Sequence, residues 1–327
     1  MAVGATLLAT QPAAALEGAG TIPGSFGFIP ILIDDFDRET NDGTLFTLIR
    51  IFNTSNRNVT IHYFYADENW LIRDICYSLT PFDIDFFDGL GHTHFINTDD
   101  GGFAWWFVTD FVGPGKVPDV NGAPCGTTQQ SYDEILMTVF FVDVPNNTAF
   151  ILEAITLEAN FPVAIPDDGR YTFGPQGSNA EYRGIFPNIW YVEFLPQQIV
   201  TTQVGFLLVP NPLFNEQVQQ TPFAVLNVRT WNDLEEPLPS VQVLTFLCWG
   251  MPTVEDLAQV DLSLFTPDGG WLRLVKLFGG DLGFPAPPPE ALLVTIDTVG
   301  GPYTVGMDWS GQYYTHHART TTETVIP

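Results

Sequence analysis

Thr44-Leu45-Phe46-Thr47-Leu48-Ile49-Arg50-Ile51-Phe52 is followed, after Asn53-Thr54-Ser55-Asn56-Arg57-Asn58, by Val59-Thr60-Ile61-His62-Tyr63-Phe64-Tyr65. β-Branched and aromatic side chains dominate both runs, and the residues between them are the polar kind that turns use. Neither run places its apolar residues at helical spacing, so the pair predicts two strands.

The same pattern fills the chain. Strands are predicted at Phe26–Ile33, Thr44–Phe52, Val59–Tyr65, Ile75–Leu79, Phe103–Thr109, Ile135–Val142, Ala149–Leu157, Trp190–Phe194, Val204–Val209, Phe223–Thr230, Val241–Cys248, Val260–Phe265, Trp271–Leu277 and Ala291–Thr298. Turn-forming clusters such as Asn41-Asp42-Gly43 and Pro267-Asp268-Gly269-Gly270 separate them. The 26 prolines fit turns and strand edges and exclude long helices. Thr253–Gln259 is the one predicted helical turn, with Thr253 as its cap. The expected fold is all-β: two antiparallel β-sandwich-like units with very little helix.

Length allows two packed units in 327 residues. The expected division is an apolar N-terminal extension at 1–25, a first sandwich at 26–170, a second at 171–319 and a tail at 320–327. A repeat supports two units: Gly27–Pro30, Thr44–Arg50, Val59–Tyr65 and Ser78–Pro81 recur in order as Gly205–Pro210, Thr221–Arg229, Val241–Cys248 and Ser263–Pro267.

Composition narrows function. Acidic side chains number 38 against 11 basic ones, a net charge of -27, in a chain that is 45% hydrophobic. Such a chain folds, because 27 Phe, 10 Tyr and 8 Trp supply a core. Two lysines and nine scattered arginines cannot neutralise a row of phosphates, which argues against nucleic acid as a partner. No apolar run is long enough for a membrane-spanning helix, so no membrane span is expected. Met1–Ala15 is small and apolar and runs into Ala13-Ala14-Ala15, in the manner of a secretory signal, although Arg38 is its first basic residue. The protein is therefore expected to be secreted, extracellular or at the cell surface.

Phe28–Ile33, Thr47–Asn53, Val59–Tyr65 and Tyr77–Ile84, with an asparagine closing the second strand, resemble a group of uncharacterised exported bacterial β-rich proteins. The resemblance implies secretion and a β-fold, and no known activity.

Several constellations invite chemistry. Asp34, Asp35, Asp37, Asn41 and Asp42 gather hard oxygens in one loop, and calcium is the cation such oxygens suit; a solvated acidic hairpin loop is the simpler reading of the same residues. Asp83 and Asp85 alternate with Phe82, Ile84 and Phe86, so the acids are expected on one face and the apolar residues on the other. His92 and His94, with His62, have a spacing metals use, but lack a cupin's downstream Glu. Cys76, Cys125 and Cys248 fit no zinc pattern and allow one disulfide plus a spare thiol. Asn53, Asn58 and Asn146 stand in N-x-S/T sequons. Trp105, Trp106 and Trp309 could stack on sugar rings, with one member of the adjacent pair expected in the core and the other exposed. GxSxG, HExxH and a phosphate-binding glycine loop are all missing, so no catalytic residue is nominated and no cofactor is required.

The leading expectation is an extracellular structural protein whose terminal extensions add strands to neighbouring copies, building a filament, tube or surface layer from a single kind of subunit. The alternative is a secreted carbohydrate- or calcium-binding module with glycan partners. A secreted hydrolase ranks third.

Overall fold

The structure is a computed structural model and describes residues 23–32, 45–67, 72–88, 102–109, 115–118, 128–143, 148–160, 165–166, 170–174, 176–184, 186, 189–194, 196, 200–209, 213–214, 222–247, 249–262, 268–281, 290–299 and 310–312. These form an all-β protein. The first strands are β1 (Phe26–Leu32), β2 (Leu45–Asn53), β3 (Val59–Asp67), β4 (Ile72–Leu79), β5 (Ile84–Asp88), β6 (Gly102–Thr109), β7 (Gly115–Pro118), β8 (Thr128–Gln129), β9 (Ile135–Asp143), β10 (Thr148–Glu153) and β11 (Ile155–Leu157). Short strands follow: β12 (Ile165–Pro166), β13 (Arg170–Tyr171), β14 (Phe173–Gly174) and β15 (Tyr182–Arg183). The remainder are β16 (Ile189–Phe194), β17 (Val200–Val209), β18 (Leu213–Phe214), β19 (Pro222–Asn232), β20 (Pro237–Leu247), β21 (Trp249–Gly250), helix α1 (Val254–Ala258), β22 (Gly270–Asp281), β23 (Glu290–Val299) and β24 (Ser310–Gln312).

Four sheets carry the fold. Sheet I runs β11-β1-β6-β3-β4-β7, with β8 joined to β6 and β12 to β8, and sheet II runs β10-β9-β2-β5. Sheet III runs β21-β17-β23-β24 and sheet IV runs β16-β22-β19-β20. Pairing in all four is antiparallel.

Three cores follow from strand alternation. Ile61, Tyr63 and Tyr65 of β3 and Ala104, Trp106 and Val108 of β6 face Ile49 and Ile51 of β2 and Met137 and Val139 of β9, filling the space between sheets I and II. The intervening residues Phe64, Phe103, Trp105 and Phe107 join Phe26 and Phe28 on the other side of sheet I, where Tyr171, Phe173, Tyr182, Phe186 and Leu207 cover them. Sheet I is therefore buried on both faces, and every residue of β6 is buried. The third core lies between sheets III and IV, where Val204, Phe206 and Leu208 of β17 meet Trp190, Val192, Leu226, Leu272 and Leu274, with Val254 and Leu257 of α1. Successive residues of β17 thus serve two cores, Leu207 one and its neighbours the other.

Close packing explains one glycine. A Cβ on Gly27 would lie 2.6 Å from both the Trp106 ring and the Ile155 carbonyl oxygen, so only a bare Cα lets β1 pass between β11 and that indole. The helix is as the sequence predicts: Thr253 Oγ1 accepts from Asp256 N at 3.1 Å, and Asp256 Oδ2 accepts from Thr253 N at 2.9 Å.

Three expectations are corrected. Val260–Phe265 forms no strand among its described residues; Leu262 instead follows α1 into the third core, fully buried. Ala149–Leu157 divides at buried Ala154, where the chain leaves sheet II for sheet I. In the repeat, β1 and β17 each precede a strand of the opposing sheet, β2 and β19. The third members then diverge, because β3 crosses to sheet I while β20 pairs directly with β19.

Candidate functional site

Two solvent-facing sheet surfaces concentrate unusual side chains. The first is the outer face of sheet II. Phe52 pairs in register with Ile84 and Leu136, and Arg50 with Phe86 and Thr138. Since Ile49, Ile51, Met137 and Val139 take the inner face, alternation sends these residues outward. Ile84 is 53% and Phe86 49% exposed, and Phe52, Leu136 and Phe140 are half-buried. The Arg50 guanidinium lies 5.3 Å from the Phe140 ring centroid and donates to Thr138 Oγ1 at 3.2 Å.

The acids and the apolar residues of the 82–86 segment take opposite faces, as the alternation predicts. The apolar residues are the exposed set, while Asp83 and Asp85 are half-buried. The cause lies in the preceding turn. Asp83 Oδ2 accepts from Thr80 N at 3.1 Å and Thr80 Oγ1 at 3.0 Å, which turns Asp83 back into the chain and fixes the phase of β5. Phe82 takes a left-handed φ of 54° there, a backbone region that favours glycine, and is 63% exposed.

The turn is anchored by Asn53, at the end of the second strand. Its Nδ2 donates to the carbonyl oxygens of Arg57 and Thr80, both at 2.8 Å. Its Oδ1 accepts from Ser55 N at 3.0 Å and Ser55 Oγ at 2.8 Å. A fully buried amide with both functions engaged is no glycan acceptor, which corrects the reading of the Asn53 sequon. Asn58 is exposed.

The second surface is the outer face of sheet IV. Tyr191, Arg273, Arg229 and Val241 form one cross-strand row, and Glu193, Trp271, Trp231 and Pro237 form the next. Trp190, Val192, Leu272, Leu274 and Val228 occupy the core side of the same strands. Trp231 and Trp271 stack with ring centroids 4.0 Å apart and planes 3° apart, and Tyr191 lies 5.7 Å from Trp271. Arg229 and Glu193 are exposed, Arg273 is half-buried, and Val243 continues the face as a 60% exposed apolar residue.

These rings replace the aromatic pair nominated from sequence. Trp105 and Trp106 are both fully buried, so neither can meet a sugar. Adjacent residues on a strand do point oppositely, but sheet I has a core on each side. His62 is also buried, stacked 4.1 Å from Phe64. Among the described residues no cluster of three His, Cys, Asp or Glu side chains could hold a metal ion. Asp34, Asp35, Asp37, Asn41, Asp42, His92, His94, Asn146 and Trp309 lie outside the described residues, as do 1–22 and 313–327. Cys76 is disulfide-bonded; Cys125 and Cys248 lie outside the described residues. No described helix is long and apolar enough to cross a membrane.

One internal carboxylate is perturbed. Burial pushes the Asp133 carboxyl up from its ordinary value, opposed by hydrogen bonds from Ala159 N at 2.8 Å and Ser25 Oγ at 2.9 Å. Nearby, Arg183 pairs with Glu158. These contacts tie the entry to β1 to the segment after β11. Gly24 exchanges backbone hydrogen bonds of 3.0 and 3.1 Å with Ile135, which brings residues 24–25, expected in the extension, into the first sandwich.

Searches of protein families and of curated proteins find no match to this chain.

Proposed function

We propose that the protein is an extracellular structural subunit that associates with further copies of itself, in a structural rather than catalytic role. The observation carrying this reading is the outer face of sheet II, where Ile84 and Phe86 stand half exposed beside Phe52, Leu136 and Phe140. A contiguous apolar sheet face costs solubility in a lone molecule and is the usual mark of a protein contact. Among the described residues β5 ends the sheet, which favours growth by pairing as well as by face packing. The disulfide at Cys76 supports an oxidising compartment outside the cytosol. Strand exchange by the terminal segments belongs to the same proposal and would supply its directionality.

A net charge of -27 opposes association between copies at low ionic strength. Sedimentation velocity of the full chain across concentration and salt is the test. Association that strengthens with salt and disappears in an Ile84→Asp/Phe86→Asp variant is expected. A wild-type chain that stays monomeric at high salt and tens of micromolar concentration would end the proposal.

A further inference from the structure

Among the described residues β20 ends sheet IV and, at 11 residues, is the longest strand at any end of the four sheets. An end strand presents a row of backbone N–H and C=O groups to solvent, and proteins guard such rows with charges, prolines or short length. Pro237 and Pro239 guard only the start of β20. From Ser240 to Leu247 there is neither a charge nor a proline, whereas β16, at the opposite end of the sheet, carries exposed Glu193. Val241, Val243 and Leu247 are 48%, 60% and 51% exposed on the outer face, while Leu244 and Phe246 pack against the third core. The strand is held from one face and offers its edge and its other face to a partner.

The charges around this edge decide which partner. Between Arg229 and Arg273 the sequence contains no Lys, Arg or His, yet seven acids fall inside that stretch. Asp233, Glu235 and Glu236 are exposed on the hairpin that leads into β20, where Asn232 Oδ1 accepts from Leu234 N at 3.1 Å and from Glu236 N at 2.8 Å. Glu255 and Asp256 stand on α1, which lies against β20. The basic side chains of the sheet belong to inner strands, Arg229 to β19 and Arg273 and Lys276 to β22. An uncharged strand within an acidic rim repels a second copy of a chain whose net charge is -27 and attracts a segment that brings cations of its own.

We infer that residues 240–247 form a docking edge for an extended strand of another protein, apolar and β-branched along its length and flanked by lysine or arginine. The backbone of that strand continues the antiparallel ladder of sheet IV, its outward side chains lie beside Val241, Val243 and Leu247, and its cations meet the acidic rim. This edge is separate from the apolar face of sheet II and needs no association between copies.

The probe is a fluorescein-labelled peptide of alternating valine and threonine, long enough to span 240–247 and flanked by paired lysines, titrated with the full chain and followed by anisotropy. The same peptide with glutamate flanks is expected to bind at least about tenfold more weakly, because like charges then face each other. A lysine-flanked peptide with proline in place of each threonine should not bind, since it lacks the donors that pairing needs. Binding of the lysine peptide should weaken as salt rises, the opposite of the trend expected for self-association. Val243→Lys, a change at an exposed position, should abolish binding, and Asp233→Asn/Glu235→Gln should narrow the gap between the lysine and glutamate peptides. No binding, equal affinity for the two flanks, retained binding of the proline peptide or an undiminished affinity in Val243→Lys would overturn the inference. A loss of self-association in Val243→Lys would assign the edge to a second copy and overturn it as well. A wild-type chain that stays monomeric would end the reading of sheet II and leave the peptide measurements unchanged.

Discussion

Ser25 and Asp133, 108 residues apart in the chain, meet through a 2.9 Å hydrogen bond at the place where the chain enters β1. The same carboxylate oxygen receives Ala159 N, so a single side chain ties three distant segments together.

A pH dependence follows. Burial raises the folded-state pKa of Asp133, so between the ordinary carboxylate range and that raised value the folded chain binds more proton than the unfolded one. The contribution of this group to stability therefore falls as pH rises through that window, and the cost persists above it. Asp133→Asn keeps an Oδ1 acceptor for Ser25 and Ala159 without the charge. It should match the wild type in acid and equal or exceed it near neutrality. Asp133→Ala leaves both donors unmet and should cost about 1–3 kcal/mol at every pH. Urea unfolding of the three proteins across pH checks this, and a neutral-pH loss in Asp133→Asn as large as that in Asp133→Ala would refute it.

Asn53 should behave as a structural pin. Asn53→Ala is expected to lose about 1–3 kcal/mol, since the Arg57 and Thr80 carbonyls lose their donor. In a glycosylating host, peptide mass mapping should find Asn58 modified and Asn53 bare. A glycan on Asn53 of folded material would contradict its buried position.

Phe82 occupies a left-handed backbone position that an L side chain adopts at a cost of roughly 1–2 kcal/mol. Phe82→Gly should raise or hold thermal stability, the relief offset in part by glycine's unfolded-state entropy. If Phe82 extends the apolar face beside Ile84, the same change should also weaken association in sedimentation. A variant that unfolds more easily would show that the ring is needed within the molecule.

Trp105→Ala and Trp106→Ala should each cost about 3–5 kcal/mol, because each empties a different core. Denaturant midpoints measure both losses. A near-neutral result for either would place that indole at the surface after all.

The sequence made most strands legible because period-two alternation is local. β1, β2, β3, β6, β9, β19 and β22 fall within a few residues of where apolar runs put them, and the Thr253 capping box marks the helix. Register was not legible. Tyr191, Trp231 and Trp271 lie in three segments far apart in sequence, and only the pairing of β16, β22 and β19 brings them side by side. Burial of a second sheet face was equally hidden. Alternation assigns Trp105 and Trp106 to opposite sides, but whether a side is covered depends on Tyr171–Phe186, which arrive some 65 residues later in the chain. The phase of β5 was set by a hydrogen-bonded turn at Thr80 and Asp83, which a count of alternating residues does not contain.

That covering segment governs how the protein can be made. As synthesis proceeds from the N-terminus, the strands of sheet I emerge before the residues that roof its second face. Phe26, Phe28, Phe64, Trp105 and Phe107 are then presented to solvent as one sticky aromatic wall until Phe186 has followed. A nascent or truncated chain ending near residue 170 should aggregate or recruit a holding chaperone. Passage through an export channel in the unfolded state would spare the chain that exposed intermediate until the whole length is available.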